Sequence, residues 1–511
     1  MIALAEPVAE SPTSAARPGR PRSPRAASSE LWILAILFLP LFFVGLGAMG
    51  LAPGPEAEAA DAGRTIAGGG GLLTPVVGGE ERFDRPPLLG WLAAAFVGSS
   101  IGHDAAALRL LHALAAFAAV VVVWAFVRRA GRPDAALASA IVLGTSYEIG
   151  VAGRTADGFA LGFLLSTVAF FALYLALTAD DRGRRGWLVA AGLALGLGFL
   201  TRGGSALVLP LLGVSAFLFA RGRFRSGWRT LLADPVGWLV FAGTALPWFV
   251  AMIAAHGTPF LDEFVGERHL LAFERDRPTM PHGGLFHQLP RLALGLFPWS
   301  GLAPIALIHM IPARGARREP DGSPAPIERG ADLPLFALSG AFVVVVGFSL
   351  AWTKQPHAMI TGFGPIAIAL GIAFADLRRM RPSLGFRTSV ALGGVIALAI
   401  ALWLRLSPLG ASWHGWTLSI EARAAARGVG VAALGSQAMM VLTTLLVAAG
   451  AALVVLRRLP PRTLFRLLAG LGIVHLVLAA GLGVVIDRAE GVPERLVRRE
   501  AGHAVLEAPG R

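Results

Sequence analysis

The chain has 511 residues, a formal charge of +13, 55% hydrophobic and only 15% charged residues, and a mean hydropathy of +0.65. Soluble domains carry about 25% charged residues, so this chain has too little polar surface to cover a soluble body, and a polytopic membrane protein is expected. It contains no cysteine, which excludes disulfides, thiolate metal sites and a cysteine nucleophile and leaves any chemistry to carboxylates, histidines and cations.

In chain order, residues 1–29 are rich in Ala, Pro, Ser and Arg without an apolar period and read as a disordered cytoplasmic tail. The first apolar stretch, 31–51, follows Arg17, Arg20, Arg22 and Arg25 and is too long for a leader core, so it reads as an uncleaved anchor. Further spans are expected at 106–127, 135–153, 158–178, 187–201, 204–220, 235–255, 291–311, 334–352, 357–376, 386–407, 434–456 and 464–486. With the N-terminus inside and thirteen spans alternating, the inner segments hold 26 Arg against 12 acids and the outer ones 19 cations against 20 acids. That asymmetry obeys the positive-inside rule. Arg128, Arg129 and Arg132, Arg221, Arg223 and Arg225, and Arg378, Arg379 and Arg381 are inner anchors that meet membrane lipids; nucleic acid is not an expected partner. The odd span number places a short tail, 488–511, outside.

Two outer loops stand out by length, 52–104 and 256–290, and long loops on one side of a bundle are where a polytopic enzyme places its site. The first offers Glu56, Glu58 and Asp61, of which Glu58 and Asp61 share a helical face, then a flexible GGGG turn and Phe83-Asp84-Arg85-Pro86-Pro87. Residues 91–102 read as an interfacial helix too short to span. Arg154 and Asp157 stand at a span boundary, where ionisable groups are costly unless paired or functional; a mutual ion pair is the plain expectation. Arg202 is at the rim in Thr201-Arg202-Gly203-Gly204, either snorkelling or binding phosphate. The second loop holds Asp262, Glu263, Glu267, Arg268, His269, Arg275 and His282, with Phe260, Phe264, Leu271 and Phe273 positioned to bury the other face. Glu267 and His269 are too few ligands, at the wrong spacing, for a strong metal signal. The chain's one lysine, Lys354, lies close to His357 after the ninth span. Arg85, Arg202, Arg268 and Lys354 thus meet on one membrane surface, which suits a lipid-linked phosphate.

The order of these motifs resembles the polytopic lipid-linked glycosyltransferases of the GT-C class, the aminoarabinose-transferase and protein O-mannosyltransferase (PMT-like) superfamily. The matching residues are Thr74-Pro75, Phe83–Trp91, Arg154 with Asp157, the run from Thr201, Leu246–Trp248, Asp262–Leu270, Pro298-Trp299 and Lys354–His357. The resemblance covers residues 30 to about 380. It implies an all-α GT-C domain over 30–487 that takes a sugar from a polyprenyl-phosphate donor and passes it to a lipid, glycan or protein acceptor at the outer face of the plasma membrane. It implies Glu56 as the catalytic base, with Glu58 as the rival and Asp157 as a further catalytic acid. Arg85, Arg202, Arg268, Lys354 and His357 would hold the lipid phosphate, and Asp84 with His269 a divalent metal of open identity. The chain departs from the family pattern: the usual first-loop aspartate is missing, Ala59 and Ala272 stand where arginines are usual, Ala358 replaces a tyrosine, and Arg85 and Arg202 replace lysines. A non-catalytic lipid-binding or partner subunit and a lipid transporter are the competing readings; the absence of an internal repeat weighs against transport.

Overall fold

The computed structural model describes residues 24–47, 51, 55–96, 104–270, 285–303, 319, 325–351, 357–377, 460, 462–463, 465–474 and 476–477. Its helices in chain order are α1 (Pro24–Phe43), α2 (Pro55–Ala67), α3 (Leu88–Phe96), α4 (Asp104–Arg129), α5 (Pro133–Gly144), α6 (Tyr147–Ala152) and α7 (Phe159–Thr178). They continue with α8 (Asp181–Arg202), α9 (Gly204–Ala220), α10 (Phe224–Leu232), α11 (Val236–His256) and α12 (Thr258–Leu261), which runs into a π-helix at Asp262–Leu270. After α13 (Leu289–Gly295) come α14 (Leu333–Leu350) and α15 (Phe363–Leu377). The all-α expectation holds. Among the described residues the only sheet is a hairpin of β1 (Val76–Val77) and β2 (Glu80–Glu81), turned by Gly78 and Gly79 at φ +64° and +83°. A two-residue turn with both φ positive is one that glycine takes without strain.

Among the described residues, five helices are long and apolar enough to cross a membrane: Ala105–Arg129, Phe159–Thr178, Val236–His256, Leu333–Leu350 and Met359–Asp376. Most expected spans recur with shifted ends, and two are broken. The 135–153 span divides into α5 and α6 at Thr145 and Ser146, whose hydroxyls bond back to the carbonyls of Ile141 and Val142 at 2.6 and 2.7 Å. The 291–311 span is cut after α13, at Pro298, because proline has no N–H for the helix ladder. The spans at 386–407 and 434–456 and the tail at 488–511 lie outside the described residues. The first helix starts at Pro24, inside the stretch read as a tail, and its Glu30 accepts from Trp124 Nε1 and Arg128. The expected interfacial helix is α3, which starts earlier, at Leu88.

The bundle closes around small residues and stacked rings. Phe126 lies on Phe171 at 3.8 Å and Phe170 on Phe336 at 3.9 Å between ring centroids, which fastens α4, α7 and α14. Helices α8 and α11 approach at Gly192 and Gly237: a Cβ on Gly192 would clash with the Gly237 carbonyl, and one on Gly237 would lie 2.8 Å from the Leu188 carbonyl. This is small-residue packing of the kind membrane helices use in place of hydrophobic driving force. The end of the bundle opposite the long loops is pinned by ion pairs, Arg132 between Asp134 and Asp376, and buried Arg221 with Asp332.

Gly192→Leu is expected to separate α8 from α11 and destabilise the protein by about 1–3 kcal/mol, the usual cost of overpacking; thermal unfolding in detergent measures it.

Candidate functional site

The site is built at the loop end of the bundle, where α2 lies on α3 and the first loop reaches back to α11. Trp91 Nε1 donates to the Leu72 carbonyl and Trp248 Nε1 to the Leu73 carbonyl, both at 2.8 Å. Thr74 Oγ1 meets His256 Nε2 at 2.7 Å. The GGGG run ends α2, with Gly69 and Gly71 at φ +89° and +65°, so it acts as a helix stop. Asp61 accepts from the Gly78 amide at 2.6 Å. The acids of α2 are therefore not a solvated face.

Glu56 is 3% exposed. Its two oxygens take Arg109 Nε at 2.9 Å and Nη2 at 2.7 Å, and Oε1 also accepts the Ala156 amide at 2.8 Å. Arg109 in turn donates to the Leu46 carbonyl at 3.0 Å. A carboxylate so occupied has both oxygens engaged in holding α2 against α4 and the turn before α7. Glu58, two residues on, points the other way: it is half-buried and paired with Arg85 Nη2. Asp84 forks Arg82 at 3.0 and 3.2 Å and lies 3.8 Å from Arg85 Nε. The Arg82 guanidinium is pushed above its ordinary pKa mainly by its hydrogen bond to Asp84.

The backbone amide of Asp84 donates to Glu263 of the π-helix at 3.0 Å, so the two long loops meet. Phe260 and Phe264, both buried as expected, pack with Trp248, Met252 and Leu200, and Phe83 joins from the first loop. His269 and Arg268 lie on the same π-helix, but their side chains, with Lys354, Leu271, Phe273, Arg275 and His282, lie outside the described residues. Among the described residues no three His, Asp or Glu gather as a metal site. The two Asp84 oxygens are already held by a guanidinium, so a cation would have to displace Arg82. The described donor set does not fit a resident metal, and no step is routed through one.

The Arg154–Asp157 ion pair is not formed. Arg154 donates to the carbonyls of Leu41 and Val44 at 3.0 and 2.9 Å, and its pKa is lowered by burial and by neighbouring Arg109. Asp157 accepts from Thr155 Oγ1 at 3.1 Å and the Phe159 amide at 2.9 Å, an Asx-type turn ahead of α7. Next to Asp157, Gly158 takes φ +83° and donates to His112 Nε2 at 2.9 Å; a Cβ there would meet Leu89 at 3.3 Å and Thr201 at 4.0 Å. Three motifs far apart in sequence thus touch at one glycine.

Arg202 does not snorkel. Its guanidinium lies 3.8 Å from the centroid of Phe159, and its aliphatic stem fills the notch left by Gly162. Such a contact is worth about 0.5–2 kcal/mol. Arg202 lines a small cavity of about 20 Å³ with Ser166, Ser205 and Thr361 among its polar groups and Phe163 and Leu209 among its apolar ones. His357 meets the same Phe159 ring at 4.8 Å and places Nδ1 2.5 Å from Glu148 Oε1. Burial alone would lower the His357 pKa; the charge and hydrogen bond of Glu148, with Asp157, overcome that and raise it.

Sequence reasoning did not name Arg109, His112 or Glu148. All three are ionisable residues inside expected spans, and such residues face a functional interior by default; that signal was present.

The comparisons agree with this architecture. The family model for dolichyl-phosphate-mannose-protein mannosyltransferase matches residues 84–254. The crystal structure of ArnT from Cupriavidus metallidurans bound to undecaprenyl phosphate superposes with a TM-score of 0.69 at 21% identity, over 91% of this chain and 79% of that one. This chain shares the fold of that transferase and resembles PMT-like proteins of the GT-C class. It is similar to the undecaprenyl phosphate-alpha-4-amino-4-deoxy-L-arabinose arabinosyl transferases of Edwardsiella ictaluri (27% identity over 75% of this chain) and Pseudomonas paraeruginosa (29% over 74%). The chain spans 66% of the length of each of these curated relatives.

Removing one partner of the buried pair, as in Arg109→Ala, strands the Glu56 carboxylate and is expected to cost about 3–5 kcal/mol, read as lost thermal stability. Gly162→Ala is expected to expel Arg202 from its notch while leaving the fold intact. The check is weakened binding of a phosphate-bearing lipid with an unchanged melting temperature.

Proposed function

We propose that this PMT-like protein transfers a sugar from a polyprenyl-phosphate-linked donor to a hydroxyl of a lipid, glycan or protein acceptor, at the outer face of the inner membrane. The observation that carries the reading is the meeting of the first-loop, Asp157 and Arg202 motifs around Gly158, with Arg85 and Glu58 in contact beside them on the first loop. The arabinosyl transferase names of the relatives support it.

The geometry supports a division of labour. The donor phosphate sits against Arg85 and Arg202, the latter lining a small polar cavity with Ser166, Ser205 and Thr361. A phosphate taking Arg85 competes with Glu58 and frees that carboxylate. Glu58 then accepts the acceptor hydroxyl proton as the acceptor oxygen bonds to the anomeric carbon. The carbon–oxygen bond to phosphate breaks, and the bonding pair leaves with the lipid phosphate, whose charge the guanidiniums offset. Asp157, held by two hydrogen bonds, is assigned to shaping the site. Arg268, Lys354 and His269 complete the reading from the sequence side.

Glu58→Gln is expected to lower transfer by about 10²–10⁴-fold, the usual range for a general base, with donor binding retained. Loss of transfer in Glu56→Gln alone, with Glu58→Gln active, would return the role to Glu56. A wild type that binds polyprenyl phosphate but transfers from no lipid-linked sugar would favour the non-catalytic reading. Because the chain has no cysteine, a single Cys at position 84 is expected to label from the outer side only. Labelling from the cytoplasm would overturn the orientation.

A further inference from the structure

The Glu148–His357 pair has no part in the division of labour above. Glu148 is an acid within the apolar course of the fifth and sixth helices, in the short helix α6, and is 14% exposed at its side chain. It is packed under α13 and α15: a Cβ on Gly295 would lie 3.0 Å from the Glu148 Cβ and would also press on Phe363. A lone carboxylate there would carry a large desolvation cost, and its hydrogen-bond partner is His357 Nδ1. The imidazole then lies 4.8 Å from Phe159, whose ring also carries Arg202 at 3.8 Å. Glu148, His357, Phe159 and Arg202 form one continuous train of contacts from α6 to the cavity.

We propose that Glu148 is a positioning residue for the anionic headgroup: it fixes His357 through Nδ1, holding the ring against Phe159 with Nε2 free to donate toward a phosphate beside Arg202. Among the described residues Nε2 of His357 has no hydrogen-bond partner, while both ring nitrogens of a charged imidazole are donors. The pair also holds the turn from His357 into α15 against α6. The charged groups around the imidazole are Glu148 on α6, Asp157 before α7 and Arg202 at the end of α8, with Arg291 of α13 close to Glu148. The two acids outweigh the opposing Arg202, so His357 keeps its proton further up the pH scale than a free imidazole. A contribution from charged His357 is complete at low pH and is lost as pH rises through that raised value. Removing Glu148 moves the loss to lower pH. The proposal rests on the lipid-phosphate reading of the site.

The experiment uses the full chain in nanodiscs with polyprenyl phosphate as the probe. In the apo protein, histidine-selective NMR follows the titration of His357, one of 11 histidines, assigned by its disappearance in His357→Asn. Glu148→Gln is expected to lower that titration midpoint, and Glu148→Asp to restore part of it. In binding, Glu148→Gln is expected to match wild type within about twofold at a pH about one unit below the variant's own measured midpoint, where its imidazole is charged, and to bind roughly tenfold more weakly near pH 7.5. In turnover the change falls on KM for the donor rather than on kcat. An unchanged midpoint overturns the proposal whether or not the lipid binds. A lowered midpoint with equal losses at both pH values also overturns it, since a purely structural role would give that pattern. A lowered midpoint in a wild type that binds no lipid phosphate instead overturns the functional reading and the headgroup role with it.

Discussion

The loop end of this protein is organised by one buried ion pair. Glu56 and Arg109 meet in a two-bond fork with both side chains almost wholly enclosed, and the remaining capacity of each is spent on backbone: Glu56 takes the Ala156 amide and Arg109 donates to the Leu46 carbonyl. Four segments are joined at this point, the end of α1, the start of α2, the upper part of α4 and the turn before α7. Burying two charges costs several kcal/mol for each, and Coulomb attraction offsets it only where geometry is good and the leftover hydrogen-bonding groups are satisfied. Both conditions are met here. The pair sets the azimuth of α2, and hence which of its acids turns inward and which toward Arg85.

From that anchor the site assembles by short steps. With Glu56 fixed, Glu58 reaches Arg85, and the adjoining Asp84 offers its amide to Glu263 across to the second long loop. The π-helix carrying Glu263 is itself held by a cluster of aromatic side chains around Trp248, Phe260 and Phe264. On the other flank, Gly158 allows Leu89 and Thr201 to close on it, and Phe159, the first residue of α7, presents its ring to Arg202 and His357. Cations that bind phosphate are usually mobile at a membrane surface. Here Arg202 is held by a ring and a glycine notch, so less ordering remains to be done when an anion arrives.

The fold was largely legible. Apolar runs near twenty residues in length mark α4, α7, α11, α14 and α15 without ambiguity, because a membrane leaves a helix as the only open-chain way to satisfy every backbone group. The breaks were less legible. Nothing in residues 135–153 announces that Thr145 and Ser146 will turn their hydroxyls onto the helix carbonyls and end it. The neighbouring Glu148 carries one local mark, an acid inside an apolar stretch, where a carboxylate costs most.

What the sequence determined by itself was the class of protein, the end of the bundle that carries the chemistry, and most of the side chains that gather there. Those follow from composition, spacing and the order of motifs along the chain. What the tertiary structure alone decided was the partner of each charge. Glu56 and Glu58 are two residues apart and chemically identical, yet one is closed into a pair with a helix 53 residues away and the other opens toward Arg85. Glu148 finds His357 across 209 residues. A side chain's role as anchor, base or ligand depends on which opposite charge and how much water reach it, and both are properties of packing between helices that no local pattern encodes.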